Sequence, residues 1–281
     1  MDIQAIEVKK LRDKTGAGIM DCKKALMEAL GDFVKAERLL KELGLATVKK
    51  KAGRTTKEGR VFSSIGPERG VLAEVSCETD FVAKNKEFKA MGEEICRLAL
   101  DRGQGAKKED FDPLLQEAIG KIKENIELRR FAFLTAGAND LLVDYIHGEG
   151  NIGVMVKFSL SHPALKGNPR VKEVCFDLAL HTAAFSPAFL SKDKVGASYL
   201  KEQEEIFMKQ AQRLGKPENI LKGIVQGKLN KHLAEVCLLE QAFVKDQDLK
   251  VSKLLGNLGR EVGGKIEIND YLYYKVGEEL N

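Results

Sequence analysis

Val71-Leu72-Ala73-Glu74-Val75-Ser76-Cys77 reads as a β-strand, and Glu78-Thr79-Asp80-Phe81-Val82-Ala83-Lys84-Asn85-Lys86 follows it directly. The second stretch is polar except at Phe81, Val82 and Ala83. Thr79 and Asp80 are favoured helix N-cap types, so the pair marks a strand-to-helix junction. A ring on the rim of such a junction is either a staple for its own helix or a wedge for another protein. Phe81 lies seven residues before Phe88, and in one unbroken helix the two rings would share a buried stripe. If Asn85 starts the helix instead, Phe81 is left on an exposed turn.

Outward from this junction the pattern is mixed. Val61-Phe62-Ser63-Ser64-Ile65 and Val71 to Cys77 flank Gly66-Pro67-Glu68-Arg69-Gly70, a hairpin pattern. A helix follows with Phe88, Met91, Ile95 and Leu98 on one face, then a second between about Phe111 and Asn125. Strand-like runs return at Phe131 to Leu134, Leu141 to His147 and Ile152 to Leu160, and a helix covers about Val171 to Ala184. Hairpin followed by helix therefore occurs twice, which predicts two related α+β halves. Leu200, Phe207, Ala211 and Leu214, then Leu221, Val225, Leu229 and His232, mark a helical pair joined at Gly215-Lys216-Pro217. Gly would stop the first helix and Pro would occupy an early position of the second. One apolar seam on such a pair predicts an antiparallel coiled-coil hairpin. A helix near Val251 to Leu258 and a strand near Ile266 to Val276 complete the chain.

Before the first hairpin, three short helices are expected. The first begins at Ile6 and stops at Thr15-Gly16, the second runs from Ile19 to Leu30, and the third carries Phe33, Ala36, Leu40 and Leu43 up to a stop at Gly44. About 45 residues is small for independent stability and suits a docking module. We therefore divide the α+β chain into a three-helix docking domain (1–46), a basic linker (47–60), a first core half (61–140) and a second core half (141–281). The second half carries the coiled-coil insertion at about 195–233. The linker, Lys49 to Arg60, holds six basic residues and one acid, without aromatic residues. It reads as a solvated flexible segment or as a contact with RNA or an acidic surface.

The 281 residues suffice for two or three domains. No stretch approaches the roughly 18–20 apolar residues of a membrane span, and Met1-Asp2-Ile3-Gln4 lacks a secretory pattern. We expect a soluble cytoplasmic protein with no membrane contact. Cys22, Cys77, Cys96, Cys175 and Cys237 are scattered and odd in number, which excludes a disulfide framework and a C-x-x-C zinc site. A net charge of +4 does not by itself imply nucleic acid.

Little in the chain speaks for enzyme chemistry. Gly148-Glu149-Gly150-Asn151-Ile152-Gly153 contains G-x-G-x-x-G, but a strand pattern, Val154 to Phe158, follows where a dinucleotide site needs a helix. The glycines turn a hairpin instead. His162 precedes Pro163 in a turn, His181 belongs to an apolar helix, and His232 lies on the hairpin seam. His147 stands at a strand tip beside glycines, where a side chain can be presented or merely exposed. We expect no cofactor, no metal and no catalytic residue.

The run from Val8 to Leu26, V-K-K-L-R-D-K-T-G-A-G-I-M-D-C-K-K-A-L, closely resembles the N-terminal signature of bacterial elongation factor Ts. So does E-V-S-C-E-T-D-F-V-A-K, Glu74 to Lys84, and the likeness continues through Glu124-Asn125-Ile126, Arg129-Arg130, Tyr145-Ile146-His147, Gly215-Lys216-Pro217 and Leu239 to Val244. The resemblance implies a UBA-like three-helix domain and a guanine-nucleotide exchange factor for elongation factor Tu. It implies that the three helices dock on the GTPase domain, that the second half holds a further domain, and that the coiled coil projects. Thr79, Asp80, Phe81 and Val82 would enter near the magnesium and phosphate site, loosening Mg2+ and GDP. His147 would approach the phosphate-loop side, and Arg12, Met20, Ile122 and Lys123 would be further partner contacts. Two departures stand out: Lys123 replaces the Gly of a K-I-G-E-N run, and Asn151 stands where an Arg is frequent. The chain runs only a few residues past Gly277, so no extra C-terminal docking helix is expected. A ribosome- or RNA-associated module using the basic linker and coiled coil is the rival reading, and the hairpin could also join two copies as a homodimer.

Overall fold

The computed structural model describes residues 3–51, 53–215 and 217–280, without the side chains of Leu45, Thr47 and Lys49. Ala52 of the basic run and Lys216 of the hairpin loop thus lie outside the described residues, as do Met1, Asp2 and Asn281. The chain opens with α1 (Ala5–Thr15), α2 (Ile19–Glu28) and α3 (Phe33–Lys51). Gly16 closes α1 in the left-handed conformation that favours glycine. Leu11, Cys22, Ala25, Leu26 and Ala36 form a small core between these helices.

Then come β1 (Glu58–Ile65), β2 (Arg69–Cys77), α4 (Asp80–Lys84), α5 (Lys86–Arg102), α6 (Asp112–Ile122) and β3 (Ile126–Thr135). The second half contains β4 (Asp140–His147), β5 (Ile152–Leu160), α7 (Pro169–Phe185), α8 (Ala197–Gln212), α9 (Glu218–Val236), β6 (Ala242–Phe243), β7 (Asp246–Lys250), α10 (Val251–Val262) and β8 (Ile266–Lys275). The two large sheets are antiparallel, ordered β1-β2-β3 and β4-β5-β8. Each is a hairpin whose second strand is later joined on its free edge by a third. This repeated connectivity makes the fold α+β.

The sheets lie face to face, with helices on their outer sides. Along β2 the alternation of a strand sends Val71, Ala73, Val75 and Cys77 toward α5 and α6. Leu72 points the other way, against Val61 and Tyr274. Along β5, Val154, Val156 and Phe158 face α7 and α10, while Met155 meets Leu134 and Leu142 between the sheets. The approach is close enough that a Cβ on Gly70 would overlap Met155, and one on Gly153 would overlap Val61. Glycine at each position is a packing requirement.

A buried carboxylate ties the halves together. Glu74 is fully enclosed and accepts hydrogen bonds from Arg129 Nη1 at 2.9 Å, Arg130 Nε at 2.6 Å and the Gly277 amide at 3.1 Å. Arg130 also covers the Tyr274 ring at 4.1 Å and pairs with Glu278 at 3.0 Å. Residues beyond β8 are thereby fixed to β2 and β3 of the first half.

Several sequence expectations need correction. Gly44 does not stop α3, which continues to Lys51; Gly44 faces Gly120 of α6, where the absence of side chains lets the helices cross closely. The segment 47–60 is therefore no free linker: helix reaches Lys51 and strand begins at Glu58. Between them Arg54 binds Glu78 at 3.3 Å, the Arg54 carbonyl accepts from Asn125, and Thr56 Oγ1 accepts from Ser76. Ile19, the apolar first residue of α2, is exposed, and α2 ends at Glu28 rather than Leu30. The α6 helix is shorter than Phe111 to Asn125. The helical hairpin forms with Phe207, Ala211, Leu221, Val225 and Leu229 on its seam, but Leu214 is exposed and Pro217 is the N-cap of α9, outside the helix.

Removing one partner of a buried, hydrogen-bonded ion cluster costs about 3–5 kcal/mol. Glu74→Ala should lower the denaturant midpoint accordingly; an unchanged midpoint would show that the cluster does not hold the halves together.

Candidate partner-binding surface

The junction after β2 resolves into two separate helical pieces. Thr79 caps the single-turn α4, its Oγ1 accepting from the Val82 amide at 3.4 Å. Asn85 is extended, ends α4 and caps α5, its Oδ1 accepting from the Glu87 amide at 2.7 Å. This break separates Phe81 from the α5 stripe: Phe88 is fully buried, whereas Phe81 is 81% exposed. Val82 and Ala83 turn inward and join the first-half core. The turn is thus anchored by two small side chains and presents the large one. Asp80 is also outward, paired with Lys84 at 3.0 Å. That hydrogen bond, with the Asp80 charge, raises the Lys84 ammonium above its ordinary pKa; Glu149 contributes more weakly.

The turn is held from the end of α6. Glu124 accepts from the Thr79 amide at 3.0 Å and from Thr79 Oγ1 at 2.7 Å. Beside it Glu78 accepts from the Asn125 amide at 2.7 Å and from Arg54, and these bonds hold its carboxyl below the usual range. Cys77 donates from Sγ to the Thr79 carbonyl at 3.2 Å; burial pushes this thiol up to about 12, so it remains protonated as a donor.

The same run reaches the N-terminal helices. Lys123 caps α6 in the left-handed conformation at φ 66°, and its Nζ meets Asp21 of α2 at 3.3 Å. Without a Cβ, glycine would adopt this backbone at lower cost, so the Lys123 departure trades local strain for a bond between α6 and α2. Ile122 is half-buried against the first-half core. Met20, next to Asp21, is 73% exposed, and Arg12 is exposed on the last turn of α1.

His147 ends β4 and is exposed. Its Nδ1 lies 3.1 Å from Tyr145 Oη. Gly148 to Asn151 turn the chain into β5, with His147 opposite Ile152. The glycine motif is therefore a hairpin turn and opens no helix. The Gly150 carbonyl accepts from the Val61 amide at 2.8 Å, and Glu149 lies near enough to Lys84 to act on its charge. The Phe81 turn and the His147 turn thus flank the same end of β1.

His162 is exposed in the turn before Pro163, and the other two histidines are structural. His181 is enclosed, accepts from the Val244 amide at Nδ1 and contacts Gln241 Oε1 at 3.0 Å; burial lowers its pKa. His232 meets Tyr199 Oη at 2.8 Å on the hairpin seam. The five cysteines are free and buried. Among the described residues no group of three or more His, Cys, Asp or Glu could hold a metal ion, and no helix is long and apolar enough to cross a membrane.

Sequence reading did not find Glu124 as the support of Thr79. The N-cap at Thr79 announced amides in need of acceptors, but no spacing reveals a carboxylate 45 residues away. Glu124→Ala removes both bonds, so amide hydrogen exchange over residues 79–84 should accelerate at least about tenfold while β2 and β5 stay protected. Unchanged exchange there would mean that Glu124 does not hold the turn.

The family model described as elongation factor TS matches residues 78–278. The chain is 44% identical to elongation factor Ts of Treponema denticola over 277 residues, covering 99% of both chains. It is 45% identical to elongation factor Ts of Borrelia hermsii and 44% to that of Borrelia recurrentis, each over 278 residues, 99% of this chain and all of the relative. These matches span the three helices, both sheets and the helical hairpin, and the chain belongs to the elongation factor Ts family of translation elongation factors.

Proposed function

We propose that this protein binds elongation factor Tu in its GDP form and promotes exchange of GDP for GTP, with Phe81 entering the GTPase and loosening Mg2+ and the nucleotide. The observation that carries this reading is the exposed Phe81 ring on a turn whose neighbours Val82 and Ala83 are anchored. No covalent bond is made or broken. The factor binds its partner more tightly when nucleotide is absent, and linkage makes the effect reciprocal. Burying one Phe contributes about 1.5–3 kcal/mol, and each 1.4 kcal/mol is roughly tenfold. One ring therefore supplies about ten- to a hundredfold, and larger acceleration requires further contacts.

Those contacts are distributed over the same surface. Met20 and Arg12 are outward on the three-helix domain, suited to the GTPase domain. Asp80 carries negative charge beside Phe81 toward the magnesium side. His147 approaches the phosphate-loop side, and the second half engages a further domain of the partner. Thr79 and Val82 fix the turn, and Ile122 and Lys123 are further contacts for the partner beside it. The helical hairpin is free along its outer faces for the partner or a second copy. The rival RNA reading draws less from the geometry, because Lys51 and Arg54 are occupied by Glu78 at 3.9 and 3.3 Å.

Phe81→Ala should keep the fold and cut the stimulated release of fluorescent GDP from elongation factor Tu at least about tenfold. Equal release by variant and wild type would remove the wedge. His147→Ala should be milder, and complete loss of exchange with binding intact would contradict that ranking.

A further inference from the structure

Along β4, successive side chains alternate between faces. Ile146 points between the two sheets, packed with Val61, Leu72 and Tyr274. Tyr145 and His147 share the opposite face, beside α7. The Tyr145 ring packs partly buried against the second-half core. Phe176 of α7, 46% exposed, braces it edge-on at 5.8 Å and 82°. Tyr145 Oη reaches along the strand to His147 Nδ1 at 3.1 Å. Among the described residues His147 is the hydrogen-bond partner of that hydroxyl. The imidazole, on the last residue of β4, is otherwise exposed to solvent.

A neutral imidazole has one nitrogen that donates and one that accepts. A phenol hydroxyl is the stronger donor of this pair, and an imidazole nitrogen is a better acceptor than a phenol oxygen. The stable arrangement therefore has Tyr145 Oη–H donating to Nδ1, which places the ring proton on Nε2. We propose that Tyr145, braced by Phe176, is a positioning residue that presents His147 with its Nε2–H directed outward as a hydrogen-bond donor. The group it meets is then an acceptor: a backbone carbonyl, a carboxylate or a phosphate oxygen. A lysine, an arginine or a backbone amide would be refused at that spot. The ring is also held in one direction before the encounter, which reduces the ordering cost of binding. This assignment rests on His147 contributing to exchange, as proposed above.

Tyr145→Phe keeps the ring and its edge-on contact with Phe176 while removing the one hydroxyl, so the fold is preserved. Two-bond proton–nitrogen correlation spectra of the free protein, recorded where histidine is neutral, report the tautomer directly. In the wild type, Nδ1 should appear as a hydrogen-bonded acceptor and Nε2 as protonated. In Tyr145→Phe, the Nδ1 signal should move to that of an unbonded imidazole nitrogen. A wild-type His147 protonated on Nδ1, or spectra identical in the two proteins, would overturn the proposal. In GDP release from elongation factor Tu, Tyr145→Phe should lower the stimulated rate about threefold to tenfold. The loss should not add to that of His147→Ala in the double variant. Additive losses, or a Tyr145→Phe protein as fast as wild type, would also overturn it. Wild-type protein that fails to stimulate release at all would refute the exchange reading itself, and the spectra would still decide the tautomer.

Discussion

Both oxygens of one carboxylate decide where Phe81 stands. Glu124 binds the Thr79 amide and hydroxyl, so the chain must turn immediately after β2 and α4 must start at Asp80. With the start fixed there and Asn85 breaking the helix, Val82 and Ala83 face the core and Phe81 faces solvent. The segment that supplies Glu124 also carries Lys123, bonded to Asp21 of α2, and Asn125, bonded to Glu78 and Arg54. Three consecutive residues after α6, Lys123 to Asn125, therefore set the N-terminal helices and the aromatic turn in one frame. The proposed wedge requires such rigidity, because a ring on a loose loop would yield to the site it is to open.

The frame extends to the second half through the face-to-face sheets. Glycines at 70 and 153 allow the close approach, and Glu74 gathers Arg129, Arg130 and the Gly277 amide at one buried point. The hydrogen bond from the Val61 amide to the Gly150 carbonyl then brings the His147 turn beside the end of β1. Two side chains from halves of similar connectivity thus share one rim.

Much of this was legible in the sequence where one local signal dominated. Apolar runs bounded by turn residues marked β2 and β5, Gly16 marked the end of α1, and a strand pattern after Gly153 identified the glycine motif as a turn. Reading failed where a residue serves two purposes. Gly44 looks like a stop, yet it is small because Gly120 passes close by. The lysine-rich run looks solvated, but its first part is helical and Arg54 is bound to a carboxylate across the fold. Phe81 was ambiguous because seven-residue spacing to Phe88 fits a helix, and only the cap at Asn85 breaks the register. Glu124, Lys123 and Tyr145 act through partners distant in sequence or through an exact hydrogen-bond geometry, neither of which periodicity records.

The proposed exchange function requires that Phe81 be offered to a second protein and become buried in it. The chain has no tryptophan, so Phe81→Trp introduces one fluorophore at the point in question. The free variant should emit as a solvent-exposed indole. Titration with nucleotide-free elongation factor Tu should shift that emission to the blue, after subtraction of the partner's own signal, and excess GDP with Mg2+ should reverse it. Emission that stays red-shifted throughout complex formation would contradict the account, because the ring would then remain in water while its partner is bound.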